Sequence, residues 1–300
     1  MPLDPASQFL NDLVVGSSGA VKGGFDHVAL RAGMAMLDTA LPPSEFLCSH
    51  RDLDLEGVPA VLMSPPNASS AVMIWFHGGG WVIGSVQQSL GHTDALAAAL
   101  GCHLLSVDYR LAPEHPFPAA HDDAETAVRW MQVNAEQYGI DAARISVGGD
   151  SAGGNLAAAV AQKFGSAIAT QLLVYPITNI AGDSDSYATF GEGYLLSAAV
   201  MHWFADIYTT PGQRTDPRVS PLLADEATIA ATARAHFVVA EFDPLRDEGL
   251  AYAERLREMD VPVSLDRHDD QMHGFFAFPQ VIPGAVTAMQ RAVDALRDHL

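Results

Sequence analysis

The sequence predicts an α/β fold, a mostly parallel central sheet flanked by helices, on three observations. Apolar runs at residues 71–76, 104–107 (broken only by Ser106), 145–147 and 172–175 read as strands buried on both faces. Helix-like stretches at 89–100, 122–134 and 152–163 lie between or after them, the alternation of strand and helix that a parallel sheet requires. Finally, Ile145-Ser-Val-Gly-Gly-Asp-Ser-Ala-Gly-Gly-Asn155 passes from strand through a glycine-flanked serine into an alanine-rich helix. Small residues on both sides of Ser151 allow a strained turn that holds one hydroxyl at the tip of a strand.

The remaining elements follow in chain order. Two helix-like stretches, around Phe9, Leu10, Leu13 and Val14 and around Val28, Leu30, Met34 and Leu37, are separated by glycines and closed by Pro42-Pro43. Residues 51–55 and 58–63 flank Gly57 as arms of an antiparallel edge hairpin. After Pro176 a polar loop leads into residues 195–208, with Ser197 as helix cap and Met201, Trp203, Phe204, Ile207 and Tyr208 as apolar bulk. Strands resume at 236–240 and 261–265 around a helix at 248–259, with His273 in a loop beyond the second. A last helix docks through Val286, Met289, Val293 and Leu296. This gives a core of residues 46–180 and 226–300, with 1–45 and 181–225 as two segments of a helical cap.

Composition narrows the chemistry. A formal charge of −20, from 36 acidic against 16 basic residues, argues against nucleic acid as a partner. Cys48 and Cys102 are too few for a disulfide framework and suit free thiols in a reducing compartment. The acidic Met1-Pro-Leu-Asp-Pro start is not that of a signal peptide, and no apolar run reaches the length of a membrane span, so the expected location is cytoplasmic. No zinc-type spacing occurs, and the expectation is that neither metal nor cofactor is needed.

Gly149-Asp-Ser-Ala-Gly153 reads G-x-S-x-G. Its glycine spacing also fits a phosphate loop, but Asn155 stands where that loop needs lysine. A serine becomes a nucleophile only when a base takes its proton and an acid fixes that base. Of twelve histidines, His273 is the choice for base because it follows the last strand. For the acid, Asp243 follows the strand at 236–240. Asp243 as a helix N-cap before Pro244 is nearly as good a reading taken alone, and Asp247 is the runner-up acid. The order serine, acid, histidine favours the triad Ser151, Asp243, His273. His77-Gly-Gly-Gly-Trp81 follows an early strand, where backbone N–H groups can approach a ligand oxygen. Gly78 and Gly79, with the N–H of Ala152, are therefore assigned as oxyanion donors, with His77 orienting the loop and Gly80 supporting it. Trp81, Asp150, Tyr194, Trp203, Phe204 and Tyr208 are candidate substrate-pocket residues, although for the aromatic set on the 195–208 helix simple packing is the preferred reading.

With these residues assigned, the chain resembles the hormone-sensitive-lipase-like family of α/β-hydrolases, the bacterial family IV esterases. The resemblance rests on His77-Gly-Gly-Gly-Trp81, Asp108-Tyr-Arg-Leu-Ala-Pro-Glu-His115 with Phe117-Pro-Ala-Ala120, Gly149-Asp-Ser-Ala-Gly-Gly154, Val219-Ser-Pro-Leu-Leu223, Asp243-Pro-Leu-Arg-Asp-Glu-Gly249 and His273-Gly-Phe275. It implies an α/β-hydrolase fold with a cap, hydrolysis of small esters with short or medium acyl chains, and a homodimer through the last strand and helix. It also implies that residues 108–115 support the glycine loop. Two departures stand out: Val61-Leu-Met63 where the family has arginine and tyrosine, and Asp269-Asp-Gln-Met272 where it has a glycine-methionine turn. The added carboxylates are expected to favour the imidazolium form of His273. Two alternatives share the scaffold: an amidase using the same triad, and a small-ligand binder like the plant gibberellin receptors, which resemble the family but lack the catalytic histidine.

Overall fold

The computed structural model describes residues 1–17, 25–42 and 44–300; Gly19, Gly23 and Gly24 between the first two helices, and Pro43, lie outside them. Among the described residues the strands are β1 (Ser49–Asp54), β2 (Pro59–Ser64), β3 (Ser69–Phe76), β4 (Cys102–Val107), β5 (Ile145–Asp150), β6 (Gln171–Val174), β7 (Ala235–Phe242) and β8 (Val263–Met272). They form one sheet in the order β1-β2-β4-β3-β5-β6-β7-β8. β3 pairs parallel with β4 and β5, and the parallel ladder continues through β6 and β7 to β8. The β1–β2 hairpin is antiparallel and joins β4 antiparallel, as the turn at Gly57 implies.

The helices are α1 (Pro5–Ser17), α2 (His27–Ala40), α3 (Val86–Leu100), α4 (Ala119–Asn134), α5 (Ala152–Phe164), α6 (Asp185–Phe190), α7 (Ala198–Tyr208), α8 (Glu226–Ala230), α9 (Arg246–Glu258) and α10 (Pro283–Leu296). Each sheet face carries its own apolar core. One packs Val128 and Met131 of α4, Leu156 of α5 and Leu256 of α9 against Val72, Ile74 and Val147. The other packs Leu10 of α1, Leu96 of α3 and Val293 of α10 against Met73, Trp75 and Leu104. Burial from both sides is why these strands are continuously apolar. No helix among the described residues is long and apolar enough to cross a membrane.

Two elements differ from the sequence reading. β8 continues to Met272, so His273 sits at the strand end itself. Its only sheet neighbour is β7, so Arg267 and Asp269 meet solvent, and that polarity hides the strand. On α10 the docked face is Ala285, Ala288, Met289, Ala292, Val293 and Leu296, while Val286 is 53% exposed. Small alanines let that helix approach the sheet, and the bulkier valine lies off the stripe. Ser197 caps α7 as expected, its hydroxyl accepting the Val200 N–H.

Candidate active site

β5 is buried along its whole length and ends at Asp150; the chain then reverses at Ser151, with φ +55° and ψ −117°, before entering α5. The turn is possible because Gly149 and Gly153, two residues to either side of Ser151, have no side chains. A Cβ on Gly153 would lie 1.8 Å from the Phe76 carbonyl oxygen, and one on Gly149 2.3 Å from the Gly153 backbone. The Ser151 N–H donates to Val174 O of the neighbouring strand at 2.9 Å. The strained φ therefore lifts the Ser151 hydroxyl off the end of the sheet.

β7 and β8 deliver the partners. Asp243 follows β7 and His273 follows β8, and the His273 N–H donates to Phe242 O, tying the two strand ends together. His273 Nδ1 lies 2.7 Å from Asp243 Oδ2, and its Nε2 lies 3.1 Å from Ser151 Oγ. The carboxylate must accept, so Nδ1 carries the proton and Nε2 presents its lone pair to the serine. All three side chains are buried, and Asp243 is 1% exposed. Asp243 Oδ1 also accepts the Leu245 N–H at 2.8 Å, so one carboxylate secures the turn into α9 while its other oxygen holds the histidine. Asp247 instead pairs with Arg246.

The glycine loop is built by its neighbours. The His77 ring donates to Gly78 O across 2.8 Å and stacks on Tyr109 at 4.3 Å. The Tyr109 hydroxyl donates to His77 O at 2.7 Å, and the Ala112 N–H donates to Trp81 O. Burial lowers the His77 pKa, so the ring orients the loop as a neutral group. Arg31 of α2 reaches the same loop, its Nε donating to Val82 O at 2.8 Å. Gly78 requires a correction: its N–H donates to Asp150 Oδ1 at 3.1 Å and is not free for a substrate. Among the described residues the N–H groups of Gly79 and Gly80 have no acceptor, and both glycines adopt positive φ, +116° and +59°.

A family model described as the alpha/beta hydrolase fold matches residues 73–277, which include Gly78 to Gly80 and all three members of the hydrogen-bonded chain. The chain belongs to the α/β-hydrolases, in their hormone-sensitive-lipase-like branch. This α/β-hydrolase is 38% identical over 253 residues to an ethyl acetate hydrolase of Pseudomonas putida, covering 81% of this chain and 79% of that protein. It is 36% identical over 291 residues to the carboxylic ester hydrolase LipN of Mycobacterium tuberculosis, covering 92% and 77% of the two chains. Among solved structures, an α/β hydrolase enzyme from the metagenome of Lake Arreo superposes with a TM-score of 0.90 at 35% identity, over 99% of this chain and 98% of that one. A hyperthermophilic esterase from Pyrobaculum calidifontis does so with a TM-score of 0.88 at 32% identity, over 99% of both.

In this α/β-hydrolase the candidate pocket residues divide by what they touch. Trp81 and Tyr208 are fully buried and stacked on each other. Tyr194 packs on Phe242, and Trp203 on Phe25 of the N-terminal segment. Phe204 lies against the glycines themselves: a Cβ on Gly80 would lie 2.2 Å from its ring. Asp150 is spent on Gly78; burial raises its pKa to about 6, against the opposing pull of His273 and the Gly78 N–H. Asp269, 61% exposed, lies beside Arg267, and Asp270 accepts from Gln271. Neither hydrogen-bonds His273, because β8 carries both away along its exposed edge.

Sequence reasoning missed the groups behind the site. The His121 ring bonds Tyr208 OH, Asn155 Oδ1 and Arg218 O, joining α4, α5 and α7. Buried Glu248 accepts the N–H groups of Thr178 and Asn179 on one oxygen. Asn155 inside the serine motif was a readable signal. A histidine on an amphipathic helix, beside Asp122 and Asp123, was not.

Proposed function

We propose that this carboxylic ester hydrolase, an enzyme of the serine carboxylesterase class, works through Ser151, His273 and Asp243. The observation that carries the reading is the unbroken chain from Ser151 Oγ through the His273 ring to Asp243. Ser151 Oγ attacks the ester carbonyl as His273 Nε2 takes its proton, and Asp243 stabilises the imidazolium. Charge then develops on the carbonyl oxygen. The N–H groups of Gly79, Gly80 and Ala152 receive it, Gly80 replacing Gly78 because Asp150 occupies the Gly78 N–H. The C–O bond of the tetrahedral intermediate breaks, the alcohol leaves with the proton from His273, and water, deprotonated by the same nitrogen, releases the acid from the acyl-enzyme.

The small-ester substrate class is supported by the name of the Pseudomonas putida relative, an ethyl acetate hydrolase, and we extend it to short and medium acyl chains. Residues 1–45 and 181–225 supply the cap in this reading: Arg31 from the first segment and Phe204 from the second both meet the glycine loop. The edge of β8 beside α10, covered by the N-terminal segment where the Asp4 N–H meets Asp270 O, is the proposed homodimer contact, and the free thiols Cys48 and Cys102 support a cytoplasmic setting. The test is hydrolysis of a graded series of chromogenic acyl esters by the wild type and Ser151→Ala. Turnover that disappears in the variant supports the reading; turnover that persists overturns it. A folded wild type inactive on every ester but active on amides would favour the amidase.

A further inference from the structure

We infer that Tyr175 is a positioning residue for His273, acting through the face of its ring and not through its hydroxyl. This rests on the triad reading above. Tyr175 directly follows β6 and has φ +34°, in the left-handed region that a side chain normally avoids. A strained residue beside a reacting group needs a reason to persist. Here the strain turns the ring against the His273 imidazole, with centroids 4.5 Å apart and planes inclined at 49°. The phenol is 2% exposed and no hydrogen bond of ordinary geometry reaches its oxygen among the described residues, with the backbone N–H groups of Phe276 and Ala277 its nearest donors. A buried hydroxyl is ordinarily well paired, so one reached only marginally by two backbone N–H groups leaves the face of the ring as the firmer contact of this side chain.

The same short segment also grips the nucleophile. Val174 O accepts the Ser151 N–H, Ile177 N–H donates to Ser151 O at 3.2 Å, and the Tyr175 N–H donates to Val238 O of β7 at 2.7 Å. Residues 174–177 thus hold the serine by its backbone and the histidine by its ring. The geometry explains why a ring face is needed. The two hydrogen bonds of His273 lie in the imidazole plane and resist rotation within it, but they resist tilting out of it weakly. A rigid ring packed 4.5 Å away and inclined at 49° to the imidazole blocks that tilt on its own side. Small misplacements of a reacting group can cost about 10²-fold in rate.

The experiment compares Tyr175→Phe, Tyr175→Leu and Tyr175→Met with the wild type and Ser151→Ala, reading kcat and KM separately, urea unfolding, and the low-field proton NMR resonance of His273 Nδ1–H. Tyr175→Phe should keep kcat within about twofold, whereas Leu and Met, which fill space without a plane, should lose about 10- to 100-fold in kcat with KM nearly unchanged. In those two variants the resonance should shift upfield and broaden. The proposal is overturned if a folded Leu or Met variant keeps wild-type kcat, if Phe is as impaired as Leu, or if activity falls only in step with lost folding. Activity surviving in Ser151→Ala would instead remove the triad reading beneath it.

Discussion

Tyr208 of α7 lies flat on Trp81 of the glycine loop, ring centroids 4.5 Å apart and planes 10° from parallel, and its hydroxyl meets His121 Nδ1 at 2.8 Å. Burial lowers the His121 pKa to about 4, so the ring is neutral; its Nε2–H donates to Arg218 O and its Nδ1 accepts from the tyrosine. Trp81 is held at φ +60°, directly after the glycines that carry the free N–H groups. The tyrosine therefore stabilises the loop conformation that presents those groups, the proposed oxyanion donors. Tyr208→Ala should destabilise the protein by about 3–5 kcal/mol and lower kcat, while Tyr208→Phe, which keeps the stack but leaves His121 Nδ1 without its partner, should cost about 1–3 kcal/mol. Urea unfolding and initial rates read both, and an unchanged kcat in Tyr208→Ala would falsify the coupling.

Asp243 and Asp247 were both credible acids in the sequence, and the structure separates them by 2.7 Å contact with His273 in one case and pairing with Arg246 in the other. Asp243→Asn leaves the turn in place but lets the amide stabilise the wrong imidazole tautomer. It should reduce kcat by roughly 10⁴-fold. Asp247→Asn should stay close to wild type. Comparable losses in the two variants would return the question to where the sequence left it.

What the sequence made legible was whatever sterics or periodicity leaves no choice about. The elbow glycines are forced by a backbone approach of 1.8 Å, so the motif could be read without a structure. The strands from β3 to β7 were readable because burial on both faces removes polar residues. β8 was cut short because its edge position allows Asp266, Arg267 and Asp269. Gly78 was offered as an oxyanion donor because sequence cannot show which N–H a neighbouring carboxylate has taken. Tyr175, His121 and Glu248 escaped notice for a related reason. Their significance lies in contacts between elements far apart in the chain.

The contact between Gly80 and Phe204 gives a double-mutant test of the proposed oxyanion site. Alanine at 80 would have to adopt φ +59° and would place its methyl 2.2 Å from the Phe204 ring. Gly80→Ala alone should lower kcat by about 10²–10³-fold, as loss of one donor does. Adding Phe204→Ala makes room for the methyl and should restore part of that loss, a strongly non-additive pair. If the two losses simply multiply, the ring does not set the position of the loop.

Folded-state thiols provide a simpler check. Burial raises both cysteines to about 12, Cys48 with added repulsion from Asp94 and Cys102 deeper inside. At pH near 8 neither should carry appreciable thiolate, so iodoacetamide should leave the native protein unmodified and label both sites after denaturation. Rapid native labelling of Cys102, which is fully buried, would mean that β4 opens far more readily than its central packing implies.

Glu248 makes stability depend on pH in a direction opposite to that of a salt-bridged carboxylate. It is 3% exposed; one oxygen accepts from Thr178 and Asn179, and the other has no partner among the described residues. Burial raises its pKa from 4.5 to about 8, helped by the negative charges of Asp243 and Asp183 and opposed by the two N–H groups. The folded state thus holds a proton that the unfolded chain releases near 4.5. The stability this provides is complete below that value and is lost as pH rises toward and through about 8. Glu248→Gln carries a permanent neutral amide that can still accept from Thr178 and Asn179 and does not titrate. Thermal melts of both proteins between about pH 5 and 9 should therefore show the variant gaining on the wild type as pH rises, with the gap levelling once folded and unfolded Glu248 are both ionised. A gap that is constant across the range would mean that the buried carboxyl is already ionised at the acid end, and that the two N–H groups stabilise its charge more than burial opposes it.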